Sequence, residues 1–134
     1  MSEFTEKLHQ LAIDAAAKAY APYSDFPVGA ALVTKDGQLI QGCNVENASY
    51  NLGLCAERNA ITSAATQGAR PGDINELVLF VNREPFTSPC GGCRQVISEF
   101  MDKGASVIAY NSKGEAKHWT VEQLLPDGFS GSDL

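Results

Sequence analysis

Three cysteines in two short segments constrain this sequence more than any other feature. The first segment contains Cys55, and the second contains Cys90 and Cys93 with two glycines between them. Two cysteines in this CxxC spacing bring both sulfurs onto one metal ion, and the glycines relax the tight turn that this requires. A fold that uses all three sulfurs must therefore bring Cys55 up against a CxxC turn that lies far away in the sequence.

Three thiolates indicate a zinc ion, and their number indicates a catalytic one. Zinc binds four ligands in a tetrahedron, so three protein ligands leave one position open for water or substrate. Glu57 lies two residues after Cys55 and is not needed as a ligand. It is therefore the candidate for proton transfer beside the metal, and one zinc ion per chain is the expected cofactor.

The cysteines are expected at the starts of two helices. Apolar residues recur at helical spacing over residues 55–67 and 93–103, so Cys55 opens one helix and Cys93 lies near the start of the other. A helix N-terminus carries partial positive charge and free N–H groups, which favour the thiolate over the thiol. Both helices follow strands, so we expect their N-termini to meet at one edge of a sheet.

Two arginines directly follow the cysteine segments and are candidates for tuning the metal site. They are Arg58 and Arg94. Three thiolates around a divalent ion leave a net charge of about −1, which hydrogen bonds from surrounding groups can draw off. We expect one or both arginines to donate hydrogen bonds to thiolate sulfurs.

Two other interpretations of the cysteines remain open. Cys43, the fourth cysteine, could complete a closed structural zinc site with four thiolates. The CxxC pair could instead be a redox motif beside a βαβ pattern, although that leaves Cys55 and Glu57 without a role.

Composition narrows the class of protein and of substrate. The 134 residues are expected to form a single domain, residues 1–134. No apolar run approaches the ~20 residues of a membrane span, and the polar N-terminus does not resemble a signal peptide, so a cytoplasmic protein with no membrane partner is expected. The net charge is −6, which argues against nucleic acid as a partner and favours a small free substrate.

Periodicity predicts an α/β fold with the element order αββαβαββα. The predicted sheet is mixed and five-stranded, and helices cover both of its faces in three α/β/α layers. The strands are expected at Val28–Thr34, Gln38–Val45, Leu77–Asn82, Ala105–Tyr110 and Glu115–Trp119, with further helices at 3–20 and 121–125.

The chain resembles the cytidine deaminases of the short, single-domain, zinc-dependent type. The core motif alone indicates a zinc-dependent nucleobase deaminase, and the flanking segments narrow the resemblance to nucleoside deamination. The segments that carry it are Ala21–Ser24, Phe26–Ala31, Asn44–Tyr50, Cys55–Arg58, Ser88–Gln95 and Leu124–Phe129.

The resemblance implies a role for individual residues. Cys55, Cys90 and Cys93 would bind zinc, and Glu57 would shuttle protons. The family is typically a homotetramer whose neighbouring subunits complete each site. By the same resemblance, Asn44 and Glu46 hold the ribose hydroxyls, and Phe26 packs against the nucleoside. The main chain at Ala56 and Ser88 reads the base edge. The residues implied to reach a neighbouring subunit are Ala48, Tyr50 and Phe129.

The implied reaction is hydrolytic deamination of cytidine and deoxycytidine by water, which yields uridine or deoxyuridine and ammonia in pyrimidine salvage. A related deaminase that acts on a nucleoside antibiotic such as blasticidin S shares the zinc motif, although the Leu124–Phe129 segment favours cytidine. A zinc-stabilised interaction module without enzymatic activity is the third interpretation, and Glu57 argues against it.

Overall fold

Five strands form one mixed sheet in the order β2-β1-β3-β4-β5. The structure is a computed structural model, and it describes residues 2–134. The strands are β1 Val28–Thr34, β2 Leu39–Cys43, β3 Ile74–Val81, β4 Ser106–Tyr110 and β5 Ala116–Thr120. The helices are α1 Thr5–Ala16, α2 Ala56–Thr66, α3 Gly91–Phe100 and α4 Val121–Leu124, with short 3₁₀ turns at Tyr50–Leu52 and Gly131–Asp133.

The strand directions place two helix starts at the same edge of the sheet. β1 runs antiparallel to both β2 and β3, so β2 and β3 point the same way. β3 and β4 are parallel, and β5 is antiparallel to β4. α2 follows β2 and α3 follows β3 along the chain, so both helices begin beyond the carboxyl ends of their strands.

Alternating side chains of the inner strands build two cores, one on each face of the sheet. This alternation follows from the two-residue period of a strand. The core under α1 contains Leu8, Ala12, Ala31, Val33, Val78 and Ile108. The core under α2, α3 and α4 includes Leu32, Ala60, Ile61, Leu77, Leu79, Ile97 and Val107. The predicted three-layer α/β/α architecture with a mixed five-stranded sheet is therefore confirmed.

Two glycines allow helices to lie directly against the sheet. A Cβ atom at Gly29 would lie 1.8 Å from the carbonyl oxygen of Ala12 in α1. A Cβ atom at Gly42 would lie 2.4 Å from the backbone nitrogen of Ala60 and 2.6 Å from the carbonyl oxygen of Ala56, both in α2. Backbone atoms cannot yield as a flexible side chain can, so both positions require glycine.

The first helix ends earlier than its sequence pattern predicts. The pattern extends to residue 20, but α1 ends at Ala16, and the N–H groups of Lys18 and Ala19 bond three residues back in a tighter turn. Tyr20 then joins a bridge to Val45 and cannot remain helical, because its N–H donates to the carbonyl oxygen of Asn44. A tertiary backbone pairing here overrides the local helical pattern.

The other boundaries differ by a few residues. α3 begins at Gly91 instead of residue 93, because the Cys90 side chain accepts the N–H of Cys93 and so caps the helix. β3 begins at Ile74, three residues before the predicted start. Glu76 within this strand is buried on the α1 face and accepts a hydrogen bond from the Thr5 hydroxyl at 2.5 Å. A charged residue inside the strand therefore concealed where the strand begins.

The helices are short. α1 has 12 residues and spans about 18 Å at the usual rise per residue, against a hydrocarbon core of about 30 Å in a bilayer. Within residues 2–134, no helix is long and apolar enough to cross a membrane.

Candidate metal centre and active site

Two helix N-termini hold the three sequence-predicted cysteines together. Cys55 is the N-cap residue of α2, and Cys90 is the N-cap residue of α3. Cys93 lies in the first turn of α3, and its N–H donates to the Cys90 sulfur at 3.4 Å. Since α2 and α3 start at one edge of the sheet, the two segments meet although they are distant in the sequence.

The three sulfurs fit a tetrahedral zinc ion. All three lie within 4.8 Å of one another, and the sulfurs of Cys55 and Cys90 are 3.8 Å apart. Sulfurs bound to one tetrahedral zinc at the usual bond length lie about 3.8 Å apart. Cys93 is buried, Cys55 is partly buried and Cys90 is exposed, so the group opens towards solvent on one side. The donor set and its spacing therefore match the expected zinc cofactor.

The alternative prediction of a closed zinc site with four thiolates is wrong. Among residues 2–134, the cysteine group that could hold a metal ion contains Cys55, Cys90 and Cys93, and Cys43 is not part of it. Cys43 lies at the end of β2, where its carbonyl oxygen accepts a hydrogen bond from Asn59 of α2 at 2.9 Å. Three sulfur ligands leave a position open on the metal, which is the arrangement of catalytic zinc sites.

The sulfurs share protons and negative charge. The hydrogen bond from the Cys93 thiol, together with the Arg58 guanidinium, lowers the pKa of Cys55 to about 5. The contact with Cys55 and burial raise the pKa of Cys93 well above the usual range of a thiol. A divalent cation displaces such protons, because only thiolates bind it. The cluster therefore binds a metal more tightly as the pH rises.

Arg58 contacts the cluster directly. It lies one turn into α2, and one of its terminal nitrogens donates to the Cys55 sulfur at 3.2 Å. Its Nε is buried and has no hydrogen-bond partner among the described residues. The expected hydrogen bond from an arginine to a thiolate sulfur is thus made by Arg58.

Arg94 has different partners, so of the two candidate arginines Arg58 is the one that contacts a thiolate. Its Nε donates to the carbonyl oxygen of Pro89 at 2.8 Å, and its two terminal nitrogens donate to the carbonyl oxygen of Leu124 and the hydroxyl of Ser88. None of these acceptors is a sulfur. Arg94 instead ties the segment before Cys90 to the end of α4.

Glu57 is buried in the first turn of α2, beside the cysteine cluster. The side chain is 5% exposed. Burial is the main reason that its pKa is raised, and the neighbouring Cys55 thiolate adds to the effect. A raised pKa suits a carboxyl group that both takes and gives a proton.

A cavity of about 450 Å³ opens next to Cys55. Five residues predicted for the site line it, whereas the predicted catalytic and base-binding residues Glu57, Phe26, Ala56 and Ser88 do not. The lining residues are Tyr23, Ser24, Asn44, Glu46, Asn47, Tyr50, Gly53, Leu54, Cys55 and Arg58. The cavity is within the usual range for a pocket that encloses a small molecule.

Asn44 and Glu46 follow β2 and hold the segment before β1. The side-chain amide of Asn44 donates to the carbonyl oxygen of Phe26 at 2.9 Å and accepts the N–H of Val28 at 2.8 Å. Oε1 of Glu46 accepts the N–H groups of Tyr23 and Ser24 at 2.9 and 3.1 Å. Both side chains are therefore fixed in orientation at the cavity wall.

Sequence reasoning assigned no role to two residues that contact this site. Ser24 donates its hydroxyl to Oε2 of Glu46. Arg83 lies over the Phe26 ring, with its guanidinium carbon 4.1 Å from the ring centre. Ser24 falls inside a segment that carries the family resemblance, which is a usable signal, whereas no local pattern points to Arg83.

The residues expected to reach a neighbouring subunit are all exposed. Tyr50 is 78% exposed, Phe129 is 58% exposed, and Ala48 is also at the surface. Tyr50 contacts the Tyr23 ring at the cavity mouth, with ring centres 5.9 Å apart. The carbonyl oxygen of Phe129 accepts a hydrogen bond from the side chain of Gln95.

The chain matches a known protein family over most of its length. Residues 2–109 match the family model described as the cytidine and deoxycytidylate deaminase zinc-binding region. This match runs from α1 through most of β4 and includes all three cysteines of the cluster.

Individual relatives cover nearly the whole chain. A cytidine deaminase of Sporosarcina psychrophila is 45% identical over 129 residues, which are 96% of this chain and 93% of that protein. A cytidine deaminase of Halalkalibacterium halodurans is 43% identical over 123 residues, 92% of each protein. The crystal structure of cytidine deaminase from Burkholderia pseudomallei superimposes with a TM-score of 0.90 at 45% identity, covering 96% of this chain and all of that one.

Proposed function

This chain belongs to the family of cytidine and deoxycytidylate deaminases, and on that premise we propose that it converts cytidine and deoxycytidine to uridine and deoxyuridine. The reaction is hydrolytic, so one water is consumed and one ammonia is released for each nucleoside. The observation that carries this proposal is the meeting of three cysteine sulfurs beside the buried carboxyl group of Glu57, next to a cavity for a small molecule.

Zinc is the cofactor, and Cys55, Cys90 and Cys93 hold it. When bound, it supplies Lewis-acid activation of the attacking water. Glu57 accepts the proton that this water loses and delivers it to ring nitrogen N3 of cytosine, which makes C4 electrophilic. The oxygen of the water then bonds to C4. Glu57 moves a proton from the new hydroxyl to the amino nitrogen, and the C4–N bond breaks to release ammonia. The raised pKa of Glu57 suits this repeated transfer, because the carboxyl group both takes and returns a proton.

The nucleoside is held by residues at the cavity wall. Glu46 and Asn44 bind the sugar hydroxyls, and their fixed orientation supports this role. Phe26 packs against the base, and the guanidinium of Arg83 above its ring restricts the ring's position. The main chain at Ala56 and Ser88 reads the edge of the base.

The substrate is a free nucleoside, not nucleic acid. A net charge of −6 disfavours the phosphate contacts on which nucleic-acid binding depends. We place the enzyme in the cytoplasm, in pyrimidine salvage. A single sheet with a core on each face supports one domain over residues 1–134.

The active form is a homotetramer in which subunits share sites. Ala48, Tyr50 and Phe129 contact a neighbouring subunit at the cavity mouth. The support for this arrangement is the exposure of two aromatic rings that a monomer would leave in water.

Replacement of Glu57 tests the assignment of the proton-transfer group. Glu57→Gln keeps the size of the buried side chain but cannot carry the proton, so turnover of cytidine should fall by about 10⁴-fold or more while zinc content is unchanged. Turnover is followed by the ultraviolet change from cytidine to uridine, and zinc is measured on the same sample. Glu99→Gln, an exposed position on α3, is the matched control and should keep full activity. Turnover of the Glu57 variant within about tenfold of the parent would exclude this role.

A further inference from the structure

Three donors from one short segment surround the carboxylate of Glu46. The N–H groups of Tyr23 and Ser24 both donate to Oε1, at 2.9 and 3.1 Å, and the Ser24 hydroxyl donates to Oε2. Together these hydrogen bonds lower the pKa of Glu46, with the Ser24 hydroxyl as the largest contribution, and so keep the group ionised. All three residues line the cavity that opens beside the cysteine cluster.

These hydrogen bonds leave a defined part of the carboxylate available. An ionised carboxylate offers about four acceptor directions, two on each oxygen. Oε1 uses both of its directions on backbone N–H groups, whereas Oε2 uses one direction on the Ser24 hydroxyl. The remaining direction on Oε2 is the one that a hydroxyl in the cavity can meet. Ser24 thus selects both the oxygen atom and its orientation.

The same hydroxyl also connects Glu46 to Phe26. Ser24 Oγ accepts the N–H of Phe26 at 3.1 Å while it donates to Glu46. Between them, Asp25 adopts a φ of 52°, in the left-handed region that residues other than glycine rarely occupy. Such a conformation persists only where its surroundings over-determine it, and here the hydrogen bonds on both sides do so.

We propose that Ser24 is a positioning and specificity residue, which aims Oε2 of Glu46 at a sugar hydroxyl of the nucleoside. The proposal rests on the proposed function, in which Glu46 binds the sugar. Ser24 acts through Glu46 and does not touch the reacting atoms.

A comparison of two ligands separates positioning from a merely structural role. Ser24→Ala removes the hydroxyl but keeps both backbone N–H donors to Oε1. We expect the KM for cytidine to rise about tenfold, as for loss of a hydrogen bond to a charged group, with kcat changed by less than about threefold. The competing ligand is 2′,3′-dideoxycytidine, which lacks both ring hydroxyls. Its inhibition constant against cytidine turnover should change by less than about twofold, because it has no hydroxyl for Glu46 to hold.

Two further variants complete the test. Ser24→Thr retains the hydroxyl and should restore the parent KM to within about threefold. In a Glu46→Gln background, Ser24→Ala should cause no further rise in KM, because a residue that acts through Glu46 has nothing left to orient. Ser98→Ala on α3, whose hydroxyl donates to the carbonyl oxygen of Gln95, is the matched control and should match the parent.

Each result has a distinct meaning. Equal weakening of cytidine and 2′,3′-dideoxycytidine, or an undiminished effect of Ser24→Ala in the Glu46→Gln background, would overturn the proposal and leave only a structural role for Ser24. An unchanged KM in Ser24→Ala would also overturn it. Failure of the parent enzyme to convert cytidine would be recognised separately, since it refutes the proposed function and the role of Ser24 together.

Discussion

Arg58 places a positively charged group against the cysteine cluster. Its guanidinium donates to the Cys55 sulfur, which is the thiolate with the lowered pKa. A hydrogen bond to a ligating sulfur withdraws negative charge from it, and such outer contacts commonly change metal affinity or activity by about 10–100-fold. Arg58 lies one helical turn after Cys55, so the local geometry of α2 is sufficient to place it.

Replacement of Arg58 should therefore weaken both zinc binding and catalysis. For Arg58→Gln we expect zinc affinity and kcat each to fall by about tenfold or more, measured by competition with a chelator and by cytidine turnover. Arg70→Gln removes a positive charge at an exposed position away from the cluster and should change neither quantity. If Arg58→Gln retained both within about twofold, the guanidinium would have no tuning role.

The local spacing of residues determined how much of the site was predictable. The cysteines and Glu57 lie within single turns of helices, so sequence distance already implies their spatial relation. The contacts of Arg94 and Ser24 depend on segments 20–26 and 83–89, which have no periodic pattern. Their hydrogen-bond partners are set by tertiary packing, so the partners of Arg94 were not predicted and Ser24 was not assigned a role.

At the scale of elements, the close approach of α2 to β2 positions Cys55 and Glu57. Gly42 makes this approach possible, since backbone atoms of Ala56 and Ala60 occupy the space that its side chain would need. Ala56 directly follows Cys55, so any displacement of α2 also moves the metal ligand. The helix-to-strand contact thus links the packing of the core to the geometry of the site.

A methyl group at position 42 should separate these elements. We expect Gly42→Ala to lower the free energy of unfolding by about 2–3 kcal/mol, the upper part of the range for overpacked cores, because rigid backbone must move. It should also reduce zinc affinity. Denaturant unfolding with zinc saturated measures the first effect. Gly104→Ala, where an added Cβ meets no atom within 4 Å, is the control. Equal unfolding midpoints for the two variants would contradict this account.

The element order and the sheet were predictable because the inner strands are nearly continuous apolar runs, as expected for strands that are buried on both faces. The ends of the helices and strands were less predictable from the sequence. α1 stops early because Tyr20 pairs with Val45, and β3 starts early because Glu76 is buried with a hydrogen-bond partner. Both boundaries depend on residues distant in the sequence, to which local periodicity is insensitive.

At the scale of the whole molecule, the exposed aromatic rings bear on assembly. Tyr50 and Phe129 lie at the surface, and Tyr50 is at the mouth of the cavity. Burial of such rings between subunits is favourable, and aromatic residues are typical of interface cores. If two subunits contribute residues to one active site, activity depends on their assembly. Coexpression of two variants with different defects can reveal this dependence.

Complementation between inactive subunits tests the shared site. The parent should have a mass in light scattering of four times the 14.3 kDa chain. Phe129→Ala and Glu57→Gln should each be weakly active alone. When they are coexpressed, a site that combines an intact Glu57 from one subunit with an intact Phe129 from another should regain activity. Activity no greater than the sum of the separate variants would show that each subunit works with its own residues.

The central claim is that zinc held by three cysteines drives the deamination of cytidine. The most direct measurement follows cytidine, uridine and ammonia together in purified protein of known zinc content. We predict one zinc per chain, uridine and ammonia formed in equal amounts, loss of turnover when a chelator removes the metal, and recovery when zinc is returned. Cytidine left unchanged by fully zinc-loaded protein would contradict the account.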